Sequence, residues 1–178
     1  MAVSASMNAD HLRFTALVRA YSSDLFRYAL WLCGNRAVAE DLVQESFARA
    51  WRALDSLQDE RAAKGWLITI LRRENARRFE RLQPLLVHDD EVVLVDDHGL
   101  HAETQQENEW LRRRIAALPL EYREPLVLQV LLGYSGDEIA ALLELNLNTV
   151  NTRLFRARAQ LREMLEGDAR VGGHNGRA

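Results

Sequence analysis

Apolar side chains recur at three- and four-residue spacing along most of the chain, which is the period of an amphipathic α-helix. Only the run VVLV at 92–95 resembles a strand. The pattern therefore predicts an all-α fold. The predicted helices span residues 9–33, 37–54, 61–83, 104–118, 120–132, 135–143 and 148–166.

A segment without helical periodicity separates these helices into two groups. Residues 84–103, PLLVHDDEVVLVDDHGLHAE, begin with proline, contain a glycine and cluster acidic side chains, which is typical of a linker. We therefore expect two small helical domains, over 1–83 and 104–166, joined by an acidic linker. Residues 167–178 have too few apolar side chains to pack and are expected to form a disordered tail.

Charge is distributed unevenly in a chain that has 26 acidic and 23 basic residues and a formal net charge of -3. Residues 61–81 contain seven Lys or Arg against two Glu, whereas residues 84–104 contain six acidic residues and neither Lys nor Arg. Residues 148–162 contain four arginines and no acidic residue. Two basic patches therefore flank an acidic segment, and clustered cations are typical of surfaces that bind phosphate.

The cysteine content and the N-terminus indicate a reducing compartment. The single cysteine, Cys33, lies in the apolar run ALWLCG, so an internal disulfide is excluded and a small core side chain is expected. The sequence MAVSASMNAD lacks the regions of a signal peptide, and no apolar run approaches the ~18 residues that span a bilayer. We therefore expect a cytoplasmic protein without membrane insertion.

The C-terminal part has the pattern of a helix-turn-helix motif. Ser135 and Glu138 are spaced as a capping box, which predicts that a short helix begins there. A turn follows at 144–147, and Asn148 is the predicted cap of a longer second helix. A short helix, a tight turn and a longer helix make up this motif.

A helical wheel divides the second helix into two faces, with Val150, Leu154, Ala157 and Leu161 on the buried one. The opposite face suits the major groove, where Arg reads guanine, Asn reads adenine and Phe or a Thr methyl contacts thymine. Flanking arginines suit phosphate contacts. A solvated helix end explains the charge, but not an exposed Phe. The predicted DNA-binding residues are Asn148, Asn151, Thr152, Arg153, Phe155, Arg156 and Arg158.

The run AEDLVQESFARAWRAL at 39–54 predicts another amphipathic helix. Dipole complementarity and i,i+4 pairing explain the charges on its exposed side, but not why Gln44 lies between two acids. The exposed side presents Asp41, Gln44 and Glu45, followed by Arg49 and Arg52. The buried side is predicted to contain Leu42, Val43, Phe47, Trp51 and Leu54.

Three blocks together resemble the extracytoplasmic-function (ECF) sigma factors, the small two-domain promoter-recognition subunits of bacterial RNA polymerase. The blocks are AEDLVQESFARAWRAL, GWLITILRR and GYSGDEIAALLELNLNTVNTRLFRARAQL, in this order and with a linker before the third. The resemblance covers residues 10–166. It implies a non-enzymatic factor that binds core RNA polymerase, recognises two promoter boxes, melts the downstream one and leaves after initiation.

The resemblance also implies roles for particular residues. In the family, the exposed acids and amide of the DLVQE segment face the clamp helices of the largest polymerase subunit, so Asp41, Gln44 and Glu45 are the polymerase-binding candidates. The longest helix of the third block enters the upstream box, with Asn151, Thr152, Phe155 and Arg156 as base readers.

The segment QDERAAKGWLITILRRENARRFER corresponds to the part that reads and opens the downstream box. Its loop captures a flipped base, and the basic helix that follows holds the backbone through cations. Trp66 belongs to an apolar stripe and is predicted to be a core residue. The candidates for binding the DNA of the downstream box are Arg61, Lys64, Arg72, Arg73, Arg77 and Arg81.

Some positions depart from the family's pattern. Glu144, Asn146 and Asn148 stand where Gly, Pro and Gly are common, and Asn151 replaces a frequent basic residue. The family's usual upstream-box preference is therefore not transferred unchanged. Among the downstream candidates, the departures are Arg73 and Arg77, where Asn and Asp are frequent.

The acidic linker has two interpretations. The family's linker threads into the polymerase channel that later holds nucleic acid. The acidic residues of this chain's linker would then mimic the charge of that nucleic acid. A solvated spacer explains the same composition. His98 and His101 lie near two aspartates, but a linker without Cys or a fixed helical frame disfavours a metal site, and no cofactor is expected.

Two other classes of protein compete with this interpretation. A free-standing helix-turn-helix repressor or activator would normally dimerise on a two-fold operator, whereas a sigma factor acts as one copy, a monomer when free of partners. A helical enzyme or metal sensor would need histidines that fall at a terminus, in the linker or in the tail. We therefore predict a sigma factor, for which the resemblance also implies an inhibitory anti-sigma protein.

Overall fold

The computed structural model describes residues 2–82, 111 and 113–172, and within these ranges the regular structure is helical, without a strand. The all-α prediction is therefore confirmed. The chain divides into two compact units, residues 1–93 and 94–178. The predicted linker at 84–103, with His98 and His101, lies outside the described residues, as does most of the helix predicted at 104–118. None of the described helices is both long and apolar enough to cross a bilayer.

The described part of the N-terminal unit contains α1 (Ala2–Cys33), α2 (Arg36–Arg52) and α3 (Ala63–Leu82). Each of these helices packs against the other two. Gly34, at a φ of 67°, reverses the chain between α1 and α2. The Asn35 side chain then accepts a hydrogen bond from the backbone N–H of Val38 at 3.1 Å, which caps the start of α2.

The three helices bury one face each in a common core. Leu25 and Tyr28 of α1 are fully buried with Leu67, Ile68 and Leu71 of α3. The buried stripe of α2 is rotated from the predicted one. Three of its four buried side chains are small, whereas Phe47 and Trp51 contact the ring of Phe14 of α1 without being fully buried. The buried residues of α2 are Ala39, Leu42, Ser46 and Ala50, whereas Val43, Phe47 and Trp51 are half-buried.

A second apolar cluster holds the connection between α2 and α3, which contains two 3-10 turns, Leu54–Ser56 and Glu60–Ala62. Trp66 packs half-buried against this cluster, as its apolar stripe predicts, and its Nε1–H donates to Ser56 Oγ at 3.2 Å. Arg13 of α1 pairs with Glu60 at 2.5 Å and donates to the Leu57 carbonyl. The connection is therefore attached to both α1 and α3. The buried members of the cluster are Leu17, Leu54, Leu57 and Ala63.

The C-terminal unit contains α4 (Leu120–Leu132), α5 (Gly136–Leu143) and α6 (Leu147–Gly172), and α6 packs against both α4 and α5. The predicted capping box is present at the start of α5. Ser135 N–H donates to Glu138 Oε2 at 2.7 Å, and Glu138 N–H donates to Ser135 Oγ at 3.3 Å. The hydrogen bonds from the Ser135 backbone and hydroxyl lower the pKa of Glu138. The predicted helix-turn-helix is therefore confirmed.

The turn between α5 and α6 explains why glycine is common in the family at the position that Glu144 occupies. Glu144 ends α5 with φ 56° and ψ 42°, in the left-handed region where glycine is favoured. A side chain in this region costs on the order of 1 kcal/mol. The Leu145 N–H donates to the Ala140 carbonyl at 2.9 Å, so the strained turn still satisfies the end of α5.

The start of α6 differs from the prediction that Asn148 caps it. The cap is Asn146, whose Oδ1 accepts from the Thr149 N–H at 2.7 Å. The Asn146 carbonyl already accepts from the Val150 N–H at 3.1 Å, which is the first helical bond. Asn148 consequently lies inside the first turn with its side chain exposed.

The end of α6 also differs from the prediction. Residues 167–172 continue the helix instead of beginning a disordered tail at 167, while residues 173–178 lie outside the described residues. Extending a helix that has already formed adds one hydrogen bond for each residue fixed, so elongation does not require a buried face.

Asn146→Ala is expected to lower the free energy of unfolding of the C-terminal unit by about 1 kcal/mol, because Thr149 N–H loses its cap. Asn148→Ala is the matched control and should change it by less than about 0.5 kcal/mol. Denaturant unfolding of the full chain, followed by circular dichroism, measures both. A larger loss for Asn148→Ala would contradict the observed cap.

Candidate functional site

The exposed face of α6 presents the residues that the helical wheel selected for base reading. Val150, Leu154 and Ala157 are buried on the other side, as predicted, and Leu161 is half-buried. Phe155 is 73% exposed, which is unusual for a ring of this size. The exposed side chains are Asn148, Asn151, Thr152, Phe155, Arg156 and Arg158, with Arg153 half-buried beside them.

The arginines of this face have partners on α4 that the sequence did not predict. Arg156 Nη1 donates to the Tyr122 hydroxyl at 3.1 Å, and Arg153 lies 3.7 Å from the Glu121 carboxylate. Arg158 donates to the Gln129 side-chain oxygen. No local pattern links these residues to α6, because helix packing alone brings them together.

An open polar cleft lies between the first turns of α4 and α6. The hydrogen bond from Arg156 to Tyr122 raises the pKa of Arg156, and an exposed guanidinium is charged at neutral pH in any case. A positive, hydrogen-bonding cleft beside an exposed aromatic ring has the chemistry of a base-edge and phosphate site. The residues lining it include Glu121, Tyr122, Asn148, Thr152, Arg153 and Arg156.

The predicted polymerase-binding residues lie on the exposed side of α2, where Asp41, Gln44 and Glu45 are all exposed. Glu45 pairs with Arg49 at 3.3 Å, which confirms the expected i,i+4 pair. Arg49 also lies 2.5 Å from Glu74 of α3. The exposed face of α2 is therefore connected electrostatically to α3.

Glu74 is the centre of this ion-pair network. Its side chain is only 6% exposed, and its Oε1 lies 2.5 Å from both Arg49 Nε and Arg77 Nη1. A buried carboxylate requires compensating cations, and the two arginines supply them. The network therefore fixes Arg77, one of the predicted strand-binding residues, relative to α2.

Two of the polymerase candidates and two of the strand candidates line one open groove between α2 and α3. Two acids of α2 lie on one side of the groove, and a row of arginines from the last turns of α3 lies on the other. The row includes Arg78, a residue that the sequence interpretation counted in the basic patch but did not single out. The charged lining residues are Asp41, Glu45, Glu74, Arg77, Arg78 and Arg81.

The remaining downstream-box candidates lie along the connection and the outer turns of α3. Lys64 Nζ lies 2.9 Å from the Asp24 carboxylate of α1, which also pairs with Arg27 at 2.6 Å. Burial opposes ionisation of Asp24, but the bonds from Lys64 and Arg27 lower its pKa. Arg61 and Arg73 are exposed, and Arg72 is half-buried. These candidates are distributed over a surface rather than gathered in one pocket.

Comparison with known proteins identifies both units. The chain matches Sigma-70 region 2 over residues 17–84 and Sigma-70 region 4 over residues 108–161. It is 32% identical over 171 residues to the ECF RNA polymerase sigma factor EcfG of Rhodopseudomonas palustris, covering 89% of this chain and 87% of EcfG. The chain belongs to the ECF sigma factors.

Further similarities are consistent with this family. The ECF RNA polymerase sigma factor SigE of Mycolicibacterium smegmatis is 32% identical over 160 residues, and this sigma factor covers 60% of SigE's length. The structure of the sigma factor RpoE from Bartonella quintana, in complex with the anti-sigma factor NepR, has a TM-score of 0.70 at 26% identity. That match covers 86% of this chain and 97% of RpoE.

Family membership decides between the predicted classes of protein. A promoter-specific sigma factor is confirmed, and the free-standing helix-turn-helix regulator is excluded. Region 2 contains the candidates on α2 and α3, and region 4 contains the candidates on α6. The roles of the individual residues within these two regions are still predictions.

Glu74→Gln is expected to lower the free energy of unfolding of the N-terminal unit by about 2 kcal/mol, because a neutral amide cannot balance Arg49 and Arg77. Glu45→Gln is the control, since the Glu45 side chain is 50% exposed; it should change the free energy by less than about 0.5 kcal/mol. Denaturant unfolding of the full chain measures both. Equal effects would show that Glu74 is not the centre of the network.

Proposed function

We propose that this sigma factor binds core RNA polymerase through α2 and recognises promoter DNA through two surfaces, one in each unit. The observation that most supports this proposal is the division of α6 into a buried apolar face and an exposed face of Asn, Thr, Phe and Arg side chains. The polymerase performs phosphoryl transfer, and the sigma factor catalyses no reaction itself.

At the upstream box, α6 enters the major groove. Arg156 donates to guanine, Asn151 bonds adenine, and Phe155 and the Thr152 methyl contact thymine methyl groups. Arg153 and Arg158 contact phosphates on the two sides of the groove. The partners of these two arginines, Glu121 and Gln129, are surface side chains that phosphate can displace at small cost.

At the downstream box, the connection before α3 receives a base from the melted strand, and the cations of α3 bind its phosphates. Arg61 and Lys64 lie at the connection and the helix start, and Arg77 and Arg81 line the groove. A groove lined by several arginines suits a flexible single strand, whose phosphates adapt to the positions of the cations. Arg72 and Arg73 extend this surface along α3.

Asp41, Gln44 and Glu45 face the polymerase, and their position beside the arginine row puts strand binding next to the polymerase surface. One copy acts at each promoter, in the cytoplasm where the polymerase works. We also propose an anti-sigma partner that covers the exposed faces of α2 and α6. The similar sigma factor RpoE of Bartonella quintana is bound to the anti-sigma factor NepR in its structure.

Reconstitution with sigma-free bacterial core RNA polymerase tests the polymerase role. We expect a stoichiometric complex that starts transcripts at defined sites on genomic DNA of the source organism. Gln44→Ala combined with Glu45→Ala should weaken the complex by roughly tenfold, because two surface contacts are lost while the buried side of α2 is unchanged.

Arg52→Ala, at the far end of the same helix, is the control and should bind core polymerase normally. Circular dichroism checks that each variant is folded. If the folded wild-type chain forms no complex, the proposed polymerase binding is wrong. If the wild type binds and the double variant binds with the same affinity, the assignment of Gln44 and Glu45 is wrong.

Arg156→Ala is expected to cost about 1 to 3 kcal/mol of binding and to relax the choice of base at one upstream position. Arg153→Ala should weaken binding to all sequences and lower the dependence of affinity on salt, because a phosphate contact is lost. Titration of promoter and random duplexes at several salt concentrations measures both. Equal losses on both duplexes for Arg156→Ala would contradict base reading.

A further inference from the structure

The first turn of α4 lies beside the base-reading face of α6, and the proposed function assigns it no task. Tyr122 is half-buried in this turn, and its phenol oxygen accepts the hydrogen bond from Arg156 Nη1 at 3.1 Å. Arg156 itself is exposed. A half-buried side chain of α4 therefore contacts the exposed end of a long side chain on the face of α6 that we propose to bind DNA.

The geometry of guanine recognition explains why such a contact matters. A guanidinium reads guanine with two N–H groups that must lie in the plane of the base and point at O6 and N7. It has five N–H donors, so one hydrogen bond to a hydroxyl leaves enough donors for the base edge. Restricting the guanidinium before DNA binds reduces the conformational freedom lost on binding.

The partners of the two neighbouring arginines differ in charge. Tyr122 offers Arg156 a neutral oxygen, and the guanidinium keeps its full charge for DNA. Glu121 offers Arg153 a carboxylate at 3.7 Å, but that side chain is 51% exposed and the pair is loose. A phosphate can replace Glu121, whereas the Tyr122 hydroxyl and a base edge can bind Arg156 together.

We propose that Tyr122 is a positioning residue for promoter recognition, because its hydroxyl orients the Arg156 guanidinium toward the base that Arg156 reads. This inference rests on the proposed base-reading role of Arg156. The opposite arrangement, in which Tyr122 withholds Arg156 from DNA, predicts tighter rather than less selective binding when the hydroxyl is removed.

The test uses the full chain bound to core RNA polymerase, on promoter duplexes in which each upstream base pair is changed in turn. Arg156→Ala first identifies the base pair that Arg156 reads. Tyr122→Phe keeps the ring and removes only the hydroxyl. It should reduce discrimination at that base pair by about threefold to tenfold. Discrimination at the other pairs and the salt dependence should be unchanged.

A double variant separates positioning from a general structural effect. In the Arg156→Ala background, Tyr122→Phe should cause no further change at the same base pair, because no guanidinium is left to orient. Gln129→Leu is the matched control, since Gln129 contacts the flanking Arg158. It should alter affinity equally on all duplexes. Thermal unfolding of Tyr122→Phe should match that of the wild type.

The inference about Tyr122 would be overturned if Tyr122→Phe left discrimination unchanged at every base pair, or if it reduced discrimination equally in the Arg156→Ala background. The base-reading role of Arg156 would stand in both cases. Uniformly tighter binding would also overturn the inference about Tyr122, because Tyr122 would then withhold Arg156. If Arg156→Ala changes discrimination at none of the base pairs, the base-reading role of Arg156 and this inference both fail. Transcripts from defined start sites would still support the sigma-factor role in each of these cases.

Discussion

The surface of the C-terminal unit that we propose to bind DNA depends on the burial of one apolar stripe. Val150, Leu154 and Ala157 are buried in α6, and α6 packs against both α4 and α5. A helix of this period that buries one stripe must expose the opposite one. The same hydrophobic contact that stabilises the unit therefore also determines which polar side chains, and which exposed phenylalanine, are available to DNA.

The N-terminal unit uses charge for a comparable purpose. Glu74 is nearly buried between Arg49 and Arg77, so the carboxylate that satisfies these cations also fixes α2 relative to α3. Two polymerase candidates, Asp41 and Glu45, consequently line one groove with two strand candidates, Arg77 and Arg81. The proposed strand-binding arginines therefore lie beside the proposed polymerase surface because two helices share one ion-pair network centred on a buried carboxylate.

The chain limits its positive charge without removing it from the surfaces proposed to bind DNA. Its net charge is -3, yet cations concentrate along α3 and α6. Several of them have partners in the unbound protein, including Lys64 with Asp24 and Arg158 with Gln129. Partners of this kind reduce indiscriminate attraction to nucleic acid, because DNA must displace them before it gains the full interaction.

The sequence by itself determined the helical content, the capping box at Ser135, the outward face of α6 and the family. These features depend on periodicity, on hydrogen bonds between near neighbours and on motifs that are contiguous in the chain. Only the tertiary structure decided that Tyr122 contacts Arg156 and that Glu74 joins Arg49 to Arg77. It also decided that small residues of α2 face its core and that Asn146, rather than Asn148, caps α6. Contacts between separate helices depend on how their faces pack, and no local pattern encodes this packing. The cap of α6 is a local hydrogen bond, but two asparagines two residues apart compete for the role, so the sequence alone does not select between them.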